Sequence, residues 1–125
     1  MDQDGWNYEV RVEDGVVHTR FRGRMSPDAT NKAIAASAEK AKTDDEKRVL
    51  FNFFDADFSK NYVLESMAQP TVARQLGIDA HFRIAFLSEK HFPNVQQMEA
   101  VARAQGYAAS AFSTESEALA WLKTR

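Results

Sequence analysis

The chain has 125 residues, of which 44% are hydrophobic and 27% charged, with a net charge of −2 and no cysteine. This balance predicts one globular domain that spans residues 1–125. It excludes disulfides and cysteine-ligated metal sites, disfavours binding to nucleic acid, which needs a basic surface, and leaves no apolar run long enough to span a membrane.

The N-terminal residues, 1–5, are acidic and polar, whereas a signal peptide begins with basic and then apolar residues. We therefore expect a cytoplasmic protein. The chain also contains no glycine-rich phosphate loop, no calcium loop and no nucleophile elbow. The sequence thus predicts no cofactor and no metal site.

Two segments near the N-terminus, 6–13 and 17–22, alternate apolar and polar side chains, with Asp14-Gly15 between them. Such alternation predicts two strands with one buried and one exposed face, and Asp-Gly predicts the tight turn of a hairpin. His18 falls on the exposed face of this hairpin. We therefore expect it to be a surface histidine.

The same exposed face carries a candidate anion-binding patch, formed by Arg11, Arg20, Arg22 and Arg24. Guanidinium groups on one face can clamp an anion or an acidic partner. Glu9 and Glu13 can instead pair with them across the hairpin. A solvated charged face is therefore favoured over an anion site.

Ser26-Pro27-Asp28 predicts the start of a helix that continues to about Lys42. The serine can cap the helix, the proline presets its first turn, and the aspartate complements its dipole. The helix is rich in alanine. We expect it to pack close to the sheet and to bury little area.

The segment 49–54, Val-Leu-Phe-Asn-Phe-Phe, is apolar on both faces. It predicts a strand that is covered on both sides, in the middle of a partly parallel sheet. Asp55 and Asp57 are expected where this strand ends, with their side chains pointing the same way. The ends of such strands are where ligands and partners usually bind in open α/β sheets.

The remainder of the chain alternates helices and strands. A second helix is expected after a cap at Ser59 or Asn61, with an interruption at Pro70. The later predicted elements are a strand over 82–87, a helix around 95–102, a strand over 107–112 and a last helix that begins at the capping sequence 114–117. Together the elements predict an α/β domain with a single mixed five-stranded sheet, in which an N-terminal antiparallel hairpin is followed by parallel β-α units.

This order of elements resembles the SpoIIAA-like fold of STAS domains and, more distantly, of CRAL-TRIO lipid-binding domains. The motifs that carry the resemblance are Gly106-Tyr107, Phe112-Ser113-Thr114, the stretch 117–122 and the central strand Leu50-Phe51-Asn52-Phe53. The resemblance implies a β-α superhelix in a small bacterial protein. It also implies a binding or regulatory role and not catalysis.

STAS anti-anti-sigma factors carry a phosphorylatable serine in an Asp-Ser-Ser-Gly-like motif after the central strand. At the corresponding place this chain reads Phe58-Ser59-Lys60-Asn61-Tyr62, without the Asp-Ser pair and without the glycine. Asp55 and Asp57 would also repel a phosphate on Ser59. A helix cap is therefore favoured for Ser59 over a phosphate acceptor.

If the third and fourth strands are neighbours, the loops after them form one candidate surface for a ligand or partner. Its residues are Asp55, Asp57, Ser59, Lys60, Asn61, Ser88, Glu89, Lys90 and His91. Paired carboxylates suit Mg²⁺ or acid–base chemistry, but solvation at a strand end is favoured here. The sequence nominates no catalytic residue.

Three functions remain open. The first is a non-enzymatic, STAS-like regulatory or protein-interaction domain, with another protein or a second copy of the chain as its partner. The second is a binder of an apolar or lipid-like small ligand, because aromatic side chains are plentiful beside the alanine-rich first helix. The third is a hydrolase or phosphotransfer enzyme that uses Asp55, Asp57, Ser59 and Lys60.

Overall fold

The computed structural model describes residues 7–25, 27–58, 77–78, 81–89 and 93–124. Its strands are β1 (Asn7–Glu13), β2 (Val16–Met25), β3 (Arg48–Phe58), β4 (Arg83–Leu87) and β5 (Ala108–Phe112). Its helices are α1 (Pro27–Asp44), α2 (Pro93–Ala104) and α3 (Glu115–Leu122). The helix predicted between β3 and β4, with its caps at Ser59 and Asn61, lies outside the described residues.

The strands form one mixed sheet of five strands in the order β1-β2-β3-β4-β5. β1 and β2 are antiparallel, and every later neighbour is parallel. The turn between β1 and β2 has positive φ at both Asp14 (55°) and Gly15 (76°), which matches the right-handed twist of the strands it joins. The predicted fold class is confirmed, including the central place of β3 and its contact with β4.

The two faces of the sheet are covered differently. On one face, which we call the α1 face, α1 packs over β1 and β2, and α2 packs over β4 and β5. The opposite face, which we call the α3 face, is covered by α3 over β3, β4 and β5. The described helices therefore leave open the α3 face of β1 and of β2 from Arg20 onward, whereas Val16 and His18 at the start of β2 are buried on that face.

The core of the α1 face is aromatic and follows from the alternation of β2, β3 and β4. The rings of Phe21 and Phe53 stack with centroids 4.5 Å apart, and Phe51 and Phe86 lie at 6.0 Å. All four side chains are at most 7% exposed. Offset stacking of this kind adds about 0.5–1.5 kcal/mol per pair to the free energy of burial.

A buried polar contact joins α1 to the sheet. The hydroxyls of Thr19 on β2 and Ser37 on α1 lie 2.6 Å apart, and Ser37 Oγ donates to the carbonyl of Ala33 at 2.8 Å. The small side chains of α1, Ala33, Ser37, Ala38 and Ala41, bring the helix close enough for this contact. None of the described helices is long and apolar enough to cross a membrane.

Two arginines at the start of their strands hold the C-terminal end of α3. Arg48 Nε donates to the carbonyl of Leu122 at 2.7 Å, and Arg83 Nη2 donates to the carbonyl of Trp121 at 2.9 Å. The Arg83 guanidinium also lies 4.2 Å from the centre of the Trp121 ring. The bond from Arg48 satisfies the Leu122 carbonyl at the end of the helix, and the Trp121 carbonyl also accepts from the N–H and the hydroxyl of Thr124.

The predicted end of the central strand is wrong. β3 continues through the acidic residues to Phe58, because β2 extends beside it as far as Met25. The pairing shifts register between Arg20 and Arg22, so that Phe53 and Phe54 together lie opposite Phe21. This bulge allows Ala56 to pack on the α1 face and pairs Asp55 with Arg22.

The expectation for His18 is also wrong, because its side chain is only 7% exposed. His18 does lie on the α3 face, one residue after the buried Val17. Burial lowers the pKa of its imidazole, and the Arg11 cation adds to that effect. The carboxylates of Glu115, Glu13 and Asp14 act in the opposite direction.

Candidate functional site

The open part of the α3 face carries charged side chains of both signs from three adjacent strands. β1 contributes Glu9, Arg11 and Glu13, β2 contributes Arg20 and Arg22, and β3 contributes Asp55. The side chains of these residues that form ion pairs are between 41% and 62% exposed. We call Glu9, Arg20, Arg22, Asp55 and the adjoining Phe54 the paired-charge surface.

The paired-charge surface centres on an ion pair between neighbouring strands. Arg20 Nε donates to Oδ2 of Asp55 at 2.9 Å, and Nη2 of the same guanidinium contacts the same oxygen. The hydrogen bond to Asp55, and then its negative charge, raise the pKa of Arg20. The pair ties β2 to β3 just where the bulge lies.

Arg11 and Arg22 of the predicted anion patch also have carboxylate partners. Arg11 lies 3.1 Å from Glu13 on its own strand, and Arg22 lies 3.9 Å from Glu9 across the hairpin. Arg24 pairs with Asp57 through the backbone of β2 and β3. The positive charge that this surface offers to a free anion is therefore largely balanced.

Phe54 interrupts this charged surface with an apolar ring. It is the large hydrophobic side chain that stands out as exposed among the described residues, at 37%. Its backbone N–H donates to the Asn52 side chain at 3.0 Å, which fixes the local turn of the bulge. Aromatic side chains are enriched among the residues that carry binding energy at protein interfaces, so this ring offers apolar contact area beside the ion pair.

The loop after β4 begins beside the middle of β3, because Leu87 at the end of β4 pairs with Asn52. Ser88 is buried, with its hydroxyl donating to the Glu89 carbonyl at 3.3 Å, whereas Glu89 is exposed. Leu87 pairs with Asn52, so Asp55 lies three residues further along β3, a distance of roughly 10 Å. Five predicted site residues lie outside the described part of the chain: Ser59, Lys60, Asn61, Lys90 and His91.

From the sequence, the acidic pair of Asp55 and Asp57 and the arginine patch are predicted as two separate sites. The structure brings them together, because Asp55 binds Arg20. Alternation placed the arginines on one face of β2 and the aspartates on one face of β3, but only the register between the strands shows that the faces coincide. A carboxylate held by a guanidinium suits recognition better than proton abstraction.

A recess lies at the end of the sheet opposite the paired-charge surface, where α1 ends. It has a volume of about 370 Å³ and contains the charged side chains of Glu39, Lys42, Asp45, Glu46 and Lys47, with Ala38, Ala41, Gly77 and Phe82 as the remaining lining. Lys47 Nζ lies 4.9 Å from the centre of the Phe82 ring. The many charged groups make this recess a poor match for a lipid-like ligand.

Three solved structures with the same fold are anti-sigma factor antagonists. One from Mycobacterium paratuberculosis superposes with a TM-score of 0.65 at 15% identity, over 97% of each chain. The antagonist SpoIIAA in its unphosphorylated form gives 0.58 at 16% identity, over 95% of this chain and 100% of that one. The phosphorylated Bacillus SpoIIAA gives 0.53 at 15% identity, over 94% and 100%.

No protein-family model and no curated protein sequence matches this chain. The structural similarity alone therefore establishes the SpoIIAA-like fold that the sequence predicted, and it does so over nearly the whole chain.

Proposed function

We propose that this chain is a non-catalytic regulatory domain of the cytoplasm that binds another protein through the paired-charge surface. The observation that carries the proposal is the exposed Phe54 beside the Arg20–Asp55 ion pair, on a sheet face that the described helices leave open. An aromatic ring supplies apolar contact area, and the fixed ion pair supplies directional polar contacts.

Two further findings support a regulatory binding role. Three solved structures that share this fold are anti-sigma factor antagonists, a class of regulatory proteins. The described charged groups of the surface are engaged with one another, which leaves no described carboxylate poised as a base beside a nucleophile. A binding surface accounts for this arrangement more simply than a hydrolase or phosphotransfer site does.

The test is quantitative affinity capture from a lysate of the native host, with the wild-type chain and two surface variants as baits. We expect a specific partner whose recovery falls at least about tenfold with Phe54→Ser and with Arg22→Glu, which corresponds to about 1.4 kcal/mol or more. Lys40→Glu is the matched control, because Lys40 lies on α1 at the opposite face and is similarly exposed at 43%.

The result that contradicts the proposal is a partner that is recovered equally with all three variants, since that partner would bind elsewhere. The same is true if purified wild-type chain captures nothing above the level of an unrelated bait. Circular dichroism of each variant ensures that a loss of binding is not a loss of folding.

A second copy of the chain is a further candidate partner. The alternative of an apolar small ligand receives no support from the charged recess at the end of α1. Native mass spectrometry of gently purified protein tests it directly. A copurified lipid-like mass would restore that alternative.

A further inference from the structure

We propose that the outer edge of β1 pairs with the β1 edge of a second copy, in an antiparallel register centred on Val10. The two copies would then share one continuous sheet across a two-fold axis. This inference does not depend on the proposed partner surface, because it rests on the backbone of an edge strand and shares with the paired-charge surface the side chain of Glu9 and its ion pair with Arg22.

β1 is an edge strand with backbone groups available for pairing. The tight turn at Asp14-Gly15 makes Glu13 and Val16 a hydrogen-bonded pair, so Glu13, Arg11 and Glu9 direct their backbone groups towards β2. Val10 and Val12 therefore direct theirs outward. Among the described residues, no strand or side chain bonds to the outward groups of these two valines.

β5, the other edge strand of the sheet, differs from β1 because side chains bond to two of its outward backbone groups. Glu99 on α2 accepts from the Ala111 N–H at 2.7 Å, and Arg103 donates to the Ala109 carbonyl at 2.7 Å. Two outward backbone groups of β5, the Ala111 N–H and the Ala109 carbonyl, are thus covered by side chains of the same chain. Proteins protect edge strands in this way against unwanted pairing, and the described part of β1 has no such cover.

The midpoint of β1 sets the register of the proposed pairing. β1 runs from Asn7 to Glu13, so Val10 is its middle residue. With Val10 opposite Val10 of the second copy, the whole strand overlaps its symmetry mate. Glu9 then lies opposite Arg11 of the second copy, and Arg11 opposite Glu9, in the closely spaced positions of the ladder where side chains interact most strongly.

This register is favoured over its neighbours by charge. Centring the pair on Arg11 would place two arginines opposite each other and would place Glu9 opposite Glu13, and centring it on Glu9 would place two glutamates together. Like charges directly opposite one another are destabilising. Registers centred on Tyr8 or Val12 avoid these contacts but overlap over less than half of the strand.

The same register suits both faces of the sheet. On the α1 face, Tyr8, Val10 and Val12 are partly buried against the core and would extend it across the axis. On the α3 face, the ion pair of Arg22 with Glu9 and that of Arg11 with Glu13 would join into one row of alternating charges. Pairing of this kind supplies backbone hydrogen bonds for affinity and side chains for specificity.

The first experiment is sedimentation equilibrium of the full chain over a range of concentrations. We expect a reversible dimer whose dissociation constant rises at least about tenfold with Val10→Pro, because proline removes an outward N–H and leaves the ladder to β2 intact. Glu9→Lys should weaken the dimer similarly. The double variant Glu9→Lys/Arg11→Glu should restore it, because opposite charges face each other again.

The second experiment fixes the register, and the absence of native cysteine makes it clean. Val10→Cys places two cysteines opposite each other on the axis, within the Cα separation of about 4.4–6.8 Å that a disulfide allows. Val12→Cys is the matched control on the same strand. Its two cysteines would lie roughly 13 Å apart in this register and should not cross-link on mild oxidation.

Three results would overturn the inference. A chain that stays monomeric up to about 1 mM does not pair through β1. A dimer that Val10→Pro leaves unchanged uses another surface, and preferential cross-linking of Val12→Cys indicates another register. Loss of the captured partner with Phe54→Ser bears only on the proposed function, so the two proposals can fail separately.

Discussion

At the residue scale, the contact between Thr19 and Ser37 is the clearest case of a polar group that the fold must satisfy. Both side chains are fully buried, and each hydroxyl needs the other or the helix backbone. A buried donor without a partner costs about 1–3 kcal/mol, whereas a matched pair that is replaced by apolar groups costs much less.

We therefore expect Thr19→Val to destabilise the protein less than Ser37→Val does. In the first variant Ser37 retains its bond to the Ala33 carbonyl, whereas in the second the Thr19 hydroxyl loses its described side-chain partner and α1 must also accept a larger side chain. The double variant Thr19→Val/Ser37→Ala should be more stable than the sum of Thr19→Val and Ser37→Ala predicts. Urea unfolding of the wild type, Thr19→Val, Ser37→Ala and their double variant measures the coupling between the two side chains. Strict additivity of the changes in free energy of unfolding would show that the contact contributes nothing.

His18 gives a prediction for the dependence of stability on pH. Its pKa in the folded protein lies below the ordinary value of 6.5, chiefly because burial disfavours the charged imidazole. The unfolded chain therefore takes up a proton more readily than the folded one as the pH falls below 6.5. The contribution of His18 is thus fully present above that pH and is lost on acidification.

The measurement is the free energy of unfolding at several pH values between about 8 and 5. We expect the wild type to lose stability more steeply below pH 6.5 than His18→Gln does. Identical slopes for wild type and His18→Gln would show that His18 is not desolvated in the folded protein.

These residues also show where inference from sequence stops. Alternation correctly placed His18 opposite Val17 and Thr19, but alternation reports only the face, not whether a later helix covers that face. The contact of Asp55 with Arg20 escaped for a related reason, because it depends on the register between two strands and on a bulge. Such distances between segments are set by packing, which local pattern does not encode.

At the scale of elements, α3 depends on anchors at both of its ends. Thr114 caps its start by accepting from the Glu117 N–H at 3.2 Å, as the sequence predicted, and its hydroxyl also contacts the Glu117 carboxylate. Its end is held by Arg48 and Arg83. The helix has only eight residues, too few to be stable without such contacts.

We expect Arg83→Met to destabilise the protein by about 1–3 kcal/mol, because charge-assisted bonds to the Trp121 carbonyl and to Thr124 are lost together with the contact on the Trp121 ring. Thermal unfolding, followed by Trp fluorescence, measures the change. Arg22→Met is the matched control, since Arg22 makes only a long, exposed ion pair, and it should change stability by less than about 0.5 kcal/mol. Equal effects of the two substitutions would contradict the anchoring role.

The sequence predicted these elements well because each has a local signal. Ser-Pro-Asp marked the start of α1, Asp-Gly marked the hairpin turn, and the apolar run marked β3. The end of β3 was missed because acidic residues usually leave a sheet. Here β2 continues beside them and Arg20 neutralises Asp55, so the strand gains hydrogen bonds without burying an unpaired charge.

At the scale of the whole molecule, the same fold is retained at about 15% identity to anti-sigma factor antagonists. Fold alone does not carry function, which depends on the chemistry of particular surfaces. In this chain those surfaces are the edges and faces of the sheet: α2 covers the Ala109 carbonyl and the Ala111 N–H on one edge, the other edge is open among the described residues, and one face carries paired charges.

The cover on β5 leads to a final prediction about assembly. We expect the double variant Glu99→Ala/Arg103→Ala to uncover the Ala109 carbonyl and the Ala111 N–H, and so to give the chain a second edge that can pair. A molecule that pairs through both edges can extend its sheet without limit, whereas one open edge stops at a dimer. Dynamic light scattering should therefore show species larger than a dimer, increasing with concentration.

The matched control is Lys40→Ala/Asp44→Ala, which removes an equivalent ion pair from α1 and touches no sheet edge, and it should keep the parent size. If the β5 variant also keeps that size, Glu99 and Arg103 only brace α2 and do not protect the edge.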